Sequence, residues 1–354
     1  MKTTNSFIFN FNMKYFLNKI FLFSLPVLLL IVLTNYFGDA ANIYNRNYEK
    51  KIAKILAAGK NVTNISNYDE RLLQEEIIFN LKYKPEVVVI GSSRAMQISK
   101  DFFPESKFMN SSVSGASLED LIAIYELYKT TNNLPKKIVL GIDPWTFQVD
   151  DKRTRWKSIG KYYYSFKNIN ETETLLTIDQ LISLSYFQNS LPTLYDKLIG
   201  KHEPLAVNTS ENSNLTKIAD GSITYGKQRR NISAKLVEER AQVWTAGGMV
   251  ERYQNFNSLQ PKWNEFRSLI ADIKKNNIEI IFVLSPFHPL VYKEMTNQFP
   301  IINEEEEKIL KFANHSNIPL YGSFNPEKDK LGPREFSDET HPKRTAMQKI
   351  LLPD

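Results

Sequence analysis

The sequence predicts a mostly parallel, doubly wound α/β sheet with helices on both faces, preceded by one N-terminal transmembrane helix. Three observations carry this expectation. Short β-branched runs without polar alternation recur along the chain, helical patterns separate them, and lysines followed by a charge-free apolar stretch open the chain. At 354 residues, 42% hydrophobic and 24% charged, the chain is long enough to bury a large core.

The first element is residues 20–33, an apolar run preceded by Lys2, Lys14 and Lys19. With Tyr15, Phe16 and Leu17 before it and Tyr36 and Phe37 after it, the stretch approaches the ~20 residues that span a bilayer. Pro26 is tolerated in such a helix. The lysines place 1–19 in the cytoplasm and everything after Asn35 outside. An uncleaved signal anchor is the preferred reading; a cleaved signal peptide, with Gly38-Asp39-Ala40 as the small-x-small site, competes with it.

Helical spacing at 42–56 and 68–81, interrupted at 61–67, predicts a helical stem over 41–83. The period then changes. Residues 86–90, 137–142 and 279–284 read as strands buried on both faces, and 107–109 and 318–321 are weaker candidates. Between them lie helical patterns at 117–128, begun by Ser117, at 256–276, and from Asn303, expected as the cap of 304–307. Strands alternating with helices imply the doubly wound, flavodoxin-like arrangement, whose sites lie at the carboxyl ends of strands. Ser93, Asp143 and Ser285 fall there. Residues 150–250 break the rhythm and read as an insertion, helical at 175–198 and polar at 201–232, with a flexible loop near 208–214. The expected organisation is therefore tail and anchor over 1–40, stem over 41–83, and an α/β domain over 84–354 carrying the insertion.

Composition removes several function classes. Net charge is +6, but Lys and Arg are spread along the chain, without the basic stripe that nucleic acid requires. The absence of cysteine excludes disulfides, zinc-thiolate sites and thiol catalysis. No cofactor or metal is expected; Gly91–Arg94 lacks the glycines and lysine of known phosphate loops.

What remains is serine chemistry. Gly91-Ser92-Ser93-Arg94 ends the apolar run 87–90, so Ser93 stands at the carboxyl edge of a strand. A serine nucleophile needs a base within hydrogen-bond reach and a carboxylate that orients the base. Of the four histidines, His202 lies in the polar insertion, His315 at a helix end, and His288 after a strand, within reach of the same edge. His341 alone has an acid three residues before it, Asp338. Gly-Ser-Ser by itself is most often a turn, and Asp-x-x-His is common by chance. Their combination, from the first sheet strand to the last sheet edge, is far rarer.

These blocks resemble the SGNH (GDSL-type) hydrolase superfamily, in its membrane-anchored branch similar to alginate O-acetylation and teichoic-acid D-alanylation proteins. Gly91-Ser92-Ser93 matches the first block, Gly-Asp-Ser, with Ser93 in the nucleophile position. Residues 110–115, Asn-Ser-Ser-Val-Ser-Gly, match Asn-x-Gly-Val-Ser-Gly. Asp338-x-x-His341 matches the last block and implies the roles of orienting acid and base. The resemblance covers 86–147 and 278–345; the stem and insertion lie outside it.

The departures define the question. Ser112 replaces a glycine whose backbone N–H binds the oxyanion; a backbone donor survives that change if its dihedrals permit. The third block, Gly-x-Asn-Asp in the family, is Gly141-Ile-Asp143-Pro144 here. An ionised Asp143 would repel the developing charge. It is expected to turn away, to be protonated, or to pair with Arg94; capping a loop is the plain alternative, and Arg94 facing the oxyanion is another. Trp145, Phe147, Trp156 and 162–164 read as core or membrane-facing aromatics more readily than as a sugar platform.

The expected function is an extracytoplasmic serine esterase or O-acyltransferase acting on acyl esters of a bacterial surface polysaccharide, through Ser93, His341 and Asp338. The resemblance implies a multi-pass membrane acyltransferase as partner. The alternative is a catalytically degenerate, membrane-anchored accessory or glycan-binding protein of a polysaccharide-modification complex.

Overall fold

The structure is a computed structural model that describes residues 13–40, 44, 47–148, 154–169, 176–201, 203–256, 258 and 260–352. The chain forms two compact units, one of Met1–Arg46 with Glu173–Glu203 and one of Asn47–Thr172 with Pro204–Asp354.

The larger unit is built on a five-stranded parallel sheet. Its strands are β2 (Val87–Ile90), β3 (Phe108–Asn110), β4 (Lys137–Ile142), β8 (Glu279–Leu284) and β9 (Leu320–Gly322), in the order β3-β2-β4-β8-β9. Val87 pairs with Lys137 and Phe108, and Ile142 with Leu284. Both faces are covered, which explains the continuous apolar runs. Val88, Ile90, Ile138, Leu140, Ile280 and Phe282 enter one core with residues of the helices Leu118–Thr130, Gln260–Lys275 and Ile301–His315. Val87, Val89, Val139 and Val283 enter a second core with Ala346, Met347 and Ile350 of the helix Arg344–Leu351. Each such buried aliphatic or aromatic side chain contributes about 1.5–3 kcal/mol.

Local signals locate the helix starts. Ser117 and Asp120 form a capping box at Leu118–Thr130. Asn303 is not a cap: its helix begins at Ile301, and its Oδ1 accepts from the Tyr292 hydroxyl at 3.2 Å.

The stem expected over 41–83 is corrected. Helices Asn47–Ala57 and Glu70–Phe79 belong to the α/β unit, because Ile52, Leu56, Leu73 and Ile78 lie in its core. Arg71 grips Asp120 through two nitrogens, at 2.8 and 2.9 Å, in a buried pair. The break between these helices is β1 (Asn61–Thr63), paired antiparallel with β5 (Leu205–Val207) and β6 (Thr216–Lys217); β6 pairs in turn with β7 (Ile223–Thr224). The polar stretch of the insertion thus completes a second, four-stranded sheet. Its 208–214 turn is tied down by Asn61 Nδ2 to Thr209 O at 3.1 Å and Asn212 Nδ2 to Thr209 O at 3.2 Å.

The smaller unit contains helix Met13–Gly38, long and apolar enough to cross a membrane, with Pro26 inside it. Helices Leu176–Leu181 and Leu184–Leu198 pack on its C-terminal end. Asn35 Nδ2 donates to the carbonyls of Gln180, Leu181 and Ser183 at 3.0, 2.8 and 3.0 Å, and Gly38 meets Ser190 so closely that a side chain would collide.

Gly141 faces Gly91 across adjacent strands, and a Cβ on Gly141 would stand 3.0 Å from Ala95 Cβ. Gly141→Val should therefore lower stability by about 1–3 kcal/mol through overpacking, read as a lower urea midpoint with an unchanged slope.

Candidate active site

β2 ends at Ile90, and after Gly91 the chain turns at once. Ala95 N–H donates to Ser92 O at 3.0 Å, and Arg94 N–H to the Ser92 hydroxyl at 3.1 Å. Ser92, standing where the resembling family has aspartate, thereby braces the turn with its side chain. Of residues 91–99, Ser93 is the only one not buried.

His341 reaches Ser93 from the far end of the chain. Its Nε2 lies 2.8 Å from Ser93 Oγ, and its Nδ1 lies 2.8 and 3.0 Å from the two oxygens of Asp338. The carboxylate at Nδ1 fixes the tautomer: Nδ1–H donates to Asp338, leaving Nε2 to accept the serine proton. Local hydrogen bonding makes this possible. Asp338 Oδ1 also accepts from the backbone N–H groups of Thr340 at 2.9 Å and His341 at 2.8 Å, an Asx turn closed by Ser337 N–H to His341 O at 2.9 Å. Gln97 Nε2 donates to Pro342 O at 2.7 Å and ties this turn to the segment following Ser93.

Two further residues join the site without a sequence signal. Arg229, from the insertion, pairs with Asp338 Oδ2 and lies 3.6 Å over the Tyr225 ring. Tyr225 stands edge-on to the His341 ring, with centroids 6.2 Å apart. The insertion is held against the main sheet by Ile223 N–H to Met96 O at 3.0 Å and by Asn110 N–H to Asp220 O at 2.8 Å. Burial acts to raise the Asp338 carboxyl. The hydrogen bond and charge of His341, with Arg229, overcome it and hold the carboxyl well below the usual range.

Asp143 pairs with Arg94, Nη1 to Oδ1 at 2.8 Å. Arg94 is 1% exposed; its Nη2 donates to Ser285 O, and its guanidinium lies 3.6 Å over the Phe287 ring. Burial pushes Arg94 below its ordinary value, and the Asp143 charge opposes this. Arg94 is therefore committed to a buried pair rather than facing an oxyanion. Glu305 is also buried; burial, with the charges of Asp143 and Glu306, raises its carboxyl well above the usual range.

The two backbone groups expected as oxyanion donors differ in their bonding. Ser93 N–H makes no hydrogen bond among the described residues. Ser112 N–H, expected as the second donor, is taken by Asn110 Oδ1 at 2.9 Å. Asn110 cannot turn away, because its Nδ2 is held by Ala95 O at 2.9 Å and Ile98 O at 2.8 Å. The Ser112 hydroxyl is buried and has no partner among the described residues.

The other histidines stand apart. His288 is fully buried against Phe336 and near Glu238, and burial lowers its pKa despite that carboxylate. His315 bonds the Lys311 carbonyl at 2.9 Å, and His202 lies outside the described residues. The aromatics after β4 are structural: Trp145 Nε1 donates to Ala116 O at 2.9 Å, Phe147 packs on Trp263 and Phe266, and Tyr162 donates to Glu75 at 2.8 Å. Among the described residues no cluster of three or more His, Cys, Asp or Glu is placed to hold a metal.

No protein-family model and no curated protein matches the chain.

Asp143→Ala should destabilise by about 3–5 kcal/mol, because it strands a buried cation, whereas Arg94→Met combined with Asp143→Leu should cost much less; urea unfolding of the single and double variants reads the difference. Asp338 contributes stability present above the unfolded carboxylate value of about 4 and lost as pH falls from there towards its depressed folded value. The stability gap between wild type and Asp338→Asn should therefore be widest near neutrality and close on acidification, in urea melts across a pH series.

Proposed function

We propose that the chain is a membrane-anchored serine esterase or O-acyltransferase of the SGNH type, acting outside the cytoplasm on acyl esters of a surface glycan. The observation that carries this is the hydrogen-bonded series Ser93–His341–Asp338, in which nucleophile and base lie 248 positions apart in sequence yet 2.8 Å apart in space.

In the reaction, Ser93 Oγ attacks the ester carbonyl while His341 Nε2 takes its proton. The imidazolium is stabilised by Asp338 and then protonates the departing alkoxide, leaving an acyl-Ser93. Water, or a glycan hydroxyl deprotonated by His341, attacks that acyl group and releases Ser93. Ser93 N–H and the unpartnered Ser112 hydroxyl are the oxyanion donors in this scheme; one such donor is worth about 10²–10³ in rate.

The strand order β3-β2-β4-β8-β9, counted along the chain, is 2-1-3-4-5. That order supports a doubly wound, flavodoxin-like arrangement, whose crevice opens between β2 and β4, beside Ser93. Lys14 and Lys19 support a cytoplasmic N-terminus. The contacts of Asn35 and Gly38 support retention of the helix over cleavage beyond Gly38. The acyl donor and acceptor, a multi-pass membrane acyltransferase and a surface glycan, rest on the resemblance alone.

The accessory reading keeps one specific support: Ser112 N–H is already engaged, and Asp143 stands where the family has an amide.

Fluorophosphonate labelling of the full-length protein in membranes distinguishes the two. Wild type should label, Ser93→Ala should not, and His341→Ala and Asp338→Asn should label slower by at least about 10³-fold. A folded wild type that does not label would put the accessory reading first.

A further inference from the structure

Helix Leu184–Leu198 has an apolar side that no described residue of its own unit covers. Tyr186 and Ser190 are buried against helix Met13–Gly38. Leu184, Leu191 and Leu198 are instead 60%, 49% and 77% exposed, and Tyr195 and Ile199 beside them are 62% and 55% exposed. Spacings of seven and four residues place these side chains on one stripe. Ser185, Asn189 and Asp196 occupy the flank next to it, and the exposed Gln188, four residues after Leu184 and three before Leu191, is a polar side chain within it.

The position of this helix says what covers the stripe. It is attached to the end of the 26-residue helix Met13–Gly38, through Asn35 at the turn 180–183 and Gly38 at Ser190. At 1.5 Å per residue, a 26-residue helix is about 39 Å long, against about 30 Å of hydrocarbon. Its last turns therefore stand at the headgroup boundary when its middle spans the membrane. Lys197 Nζ donates to the Gly38 carbonyl at 2.7 Å, and the exposed Leu33, Tyr36 and Phe37 extend the apolar surface of the same unit. Leucines on one side, polar residues on the flank and tyrosines at the boundary are the chemistry of a helix lying in a membrane interface.

We propose that helix Leu184–Leu198 is a membrane-interface helix, with Leu184, Leu191 and Leu198 set among the lipid acyl chains. The chain then meets the bilayer twice, by a span and by a surface helix bonded to it. This inference rests on the reading of helix Met13–Gly38 as a membrane span.

The chain has no cysteine, so single-site labels need no prior removal. Full-length Leu191→Cys, Leu198→Cys, Asn189→Cys and Leu29→Cys, each carrying a nitroxide, are placed in nanodiscs of phosphatidylcholine and phosphatidylglycerol. Collision rates with oxygen, which concentrates in lipid, and with a water-soluble nickel chelate are then measured. The expected result is an oxygen-to-nickel ratio several-fold higher at Leu191 and Leu198 than at Asn189, approaching that at Leu29. Nickel access at Leu191 and Leu198 with Leu29 in lipid overturns the inference and leaves the span intact. Protection of both leucine positions from both reagents overturns it in favour of a protein partner. A lipid signal at Asn189 as strong as at Leu191 overturns the one-sided placement, and nickel access at Leu29 removes the span and the inference together.

Discussion

Arg94 stitches three neighbouring strand ends together. It follows β2, binds the carboxylate that follows β4, and donates to the carbonyl that follows β8. Removing an unpaired guanidinium from water costs several kcal/mol, so the side chain is tolerated only while those partners hold. The constraint passes directly to Ser93, its chain neighbour. With Arg94 drawn inward and Ser92 bonded to the Arg94 N–H, the hydroxyl of Ser93 is left at the surface of the turn. The buried ion pair thus holds Ser93 in place by fixing the residue beside it.

The histidine side of the site is fixed by local rather than long-range forces. One oxygen of Asp338 closes the Asx turn and meets Nδ1 of His341, while the other is shared with Arg229. Arg229 neutralises part of the charge that stabilises a protonated His341. It also deepens the ionisation of Asp338, which keeps the imidazole in the tautomer that accepts from serine. The insertion therefore completes the surroundings of Asp338.

Asp143 illustrates a substitution whose meaning depends on its neighbour. As an isolated carboxylate beside an oxyanion it would oppose catalysis. Paired with Arg94 it is a structural counter-ion, while Ser93 N–H and the buried Ser112 hydroxyl have no hydrogen-bond partner among the described residues.

The main-sheet strands, the apolar N-terminal helix and the pairing of Asp338 with His341 were legible in the sequence, because each is written in a short-range period or spacing: β-branched runs for buried strands, charge-free length for the helix, and three-residue separation for the Asx turn. The second sheet was not legible. β6 and β7 are two residues each, too short for any alternation, and β1 meets β5 only across the whole first half of the sheet domain. Nor did any spacing announce that Arg229 would reach Asp338, that Asn110 would claim the Ser112 N–H, or that the supposed stem would supply core side chains. Those outcomes depend on which groups are brought together once apolar faces are buried. Buried polar groups then take the nearest partner in space, whatever its distance along the chain.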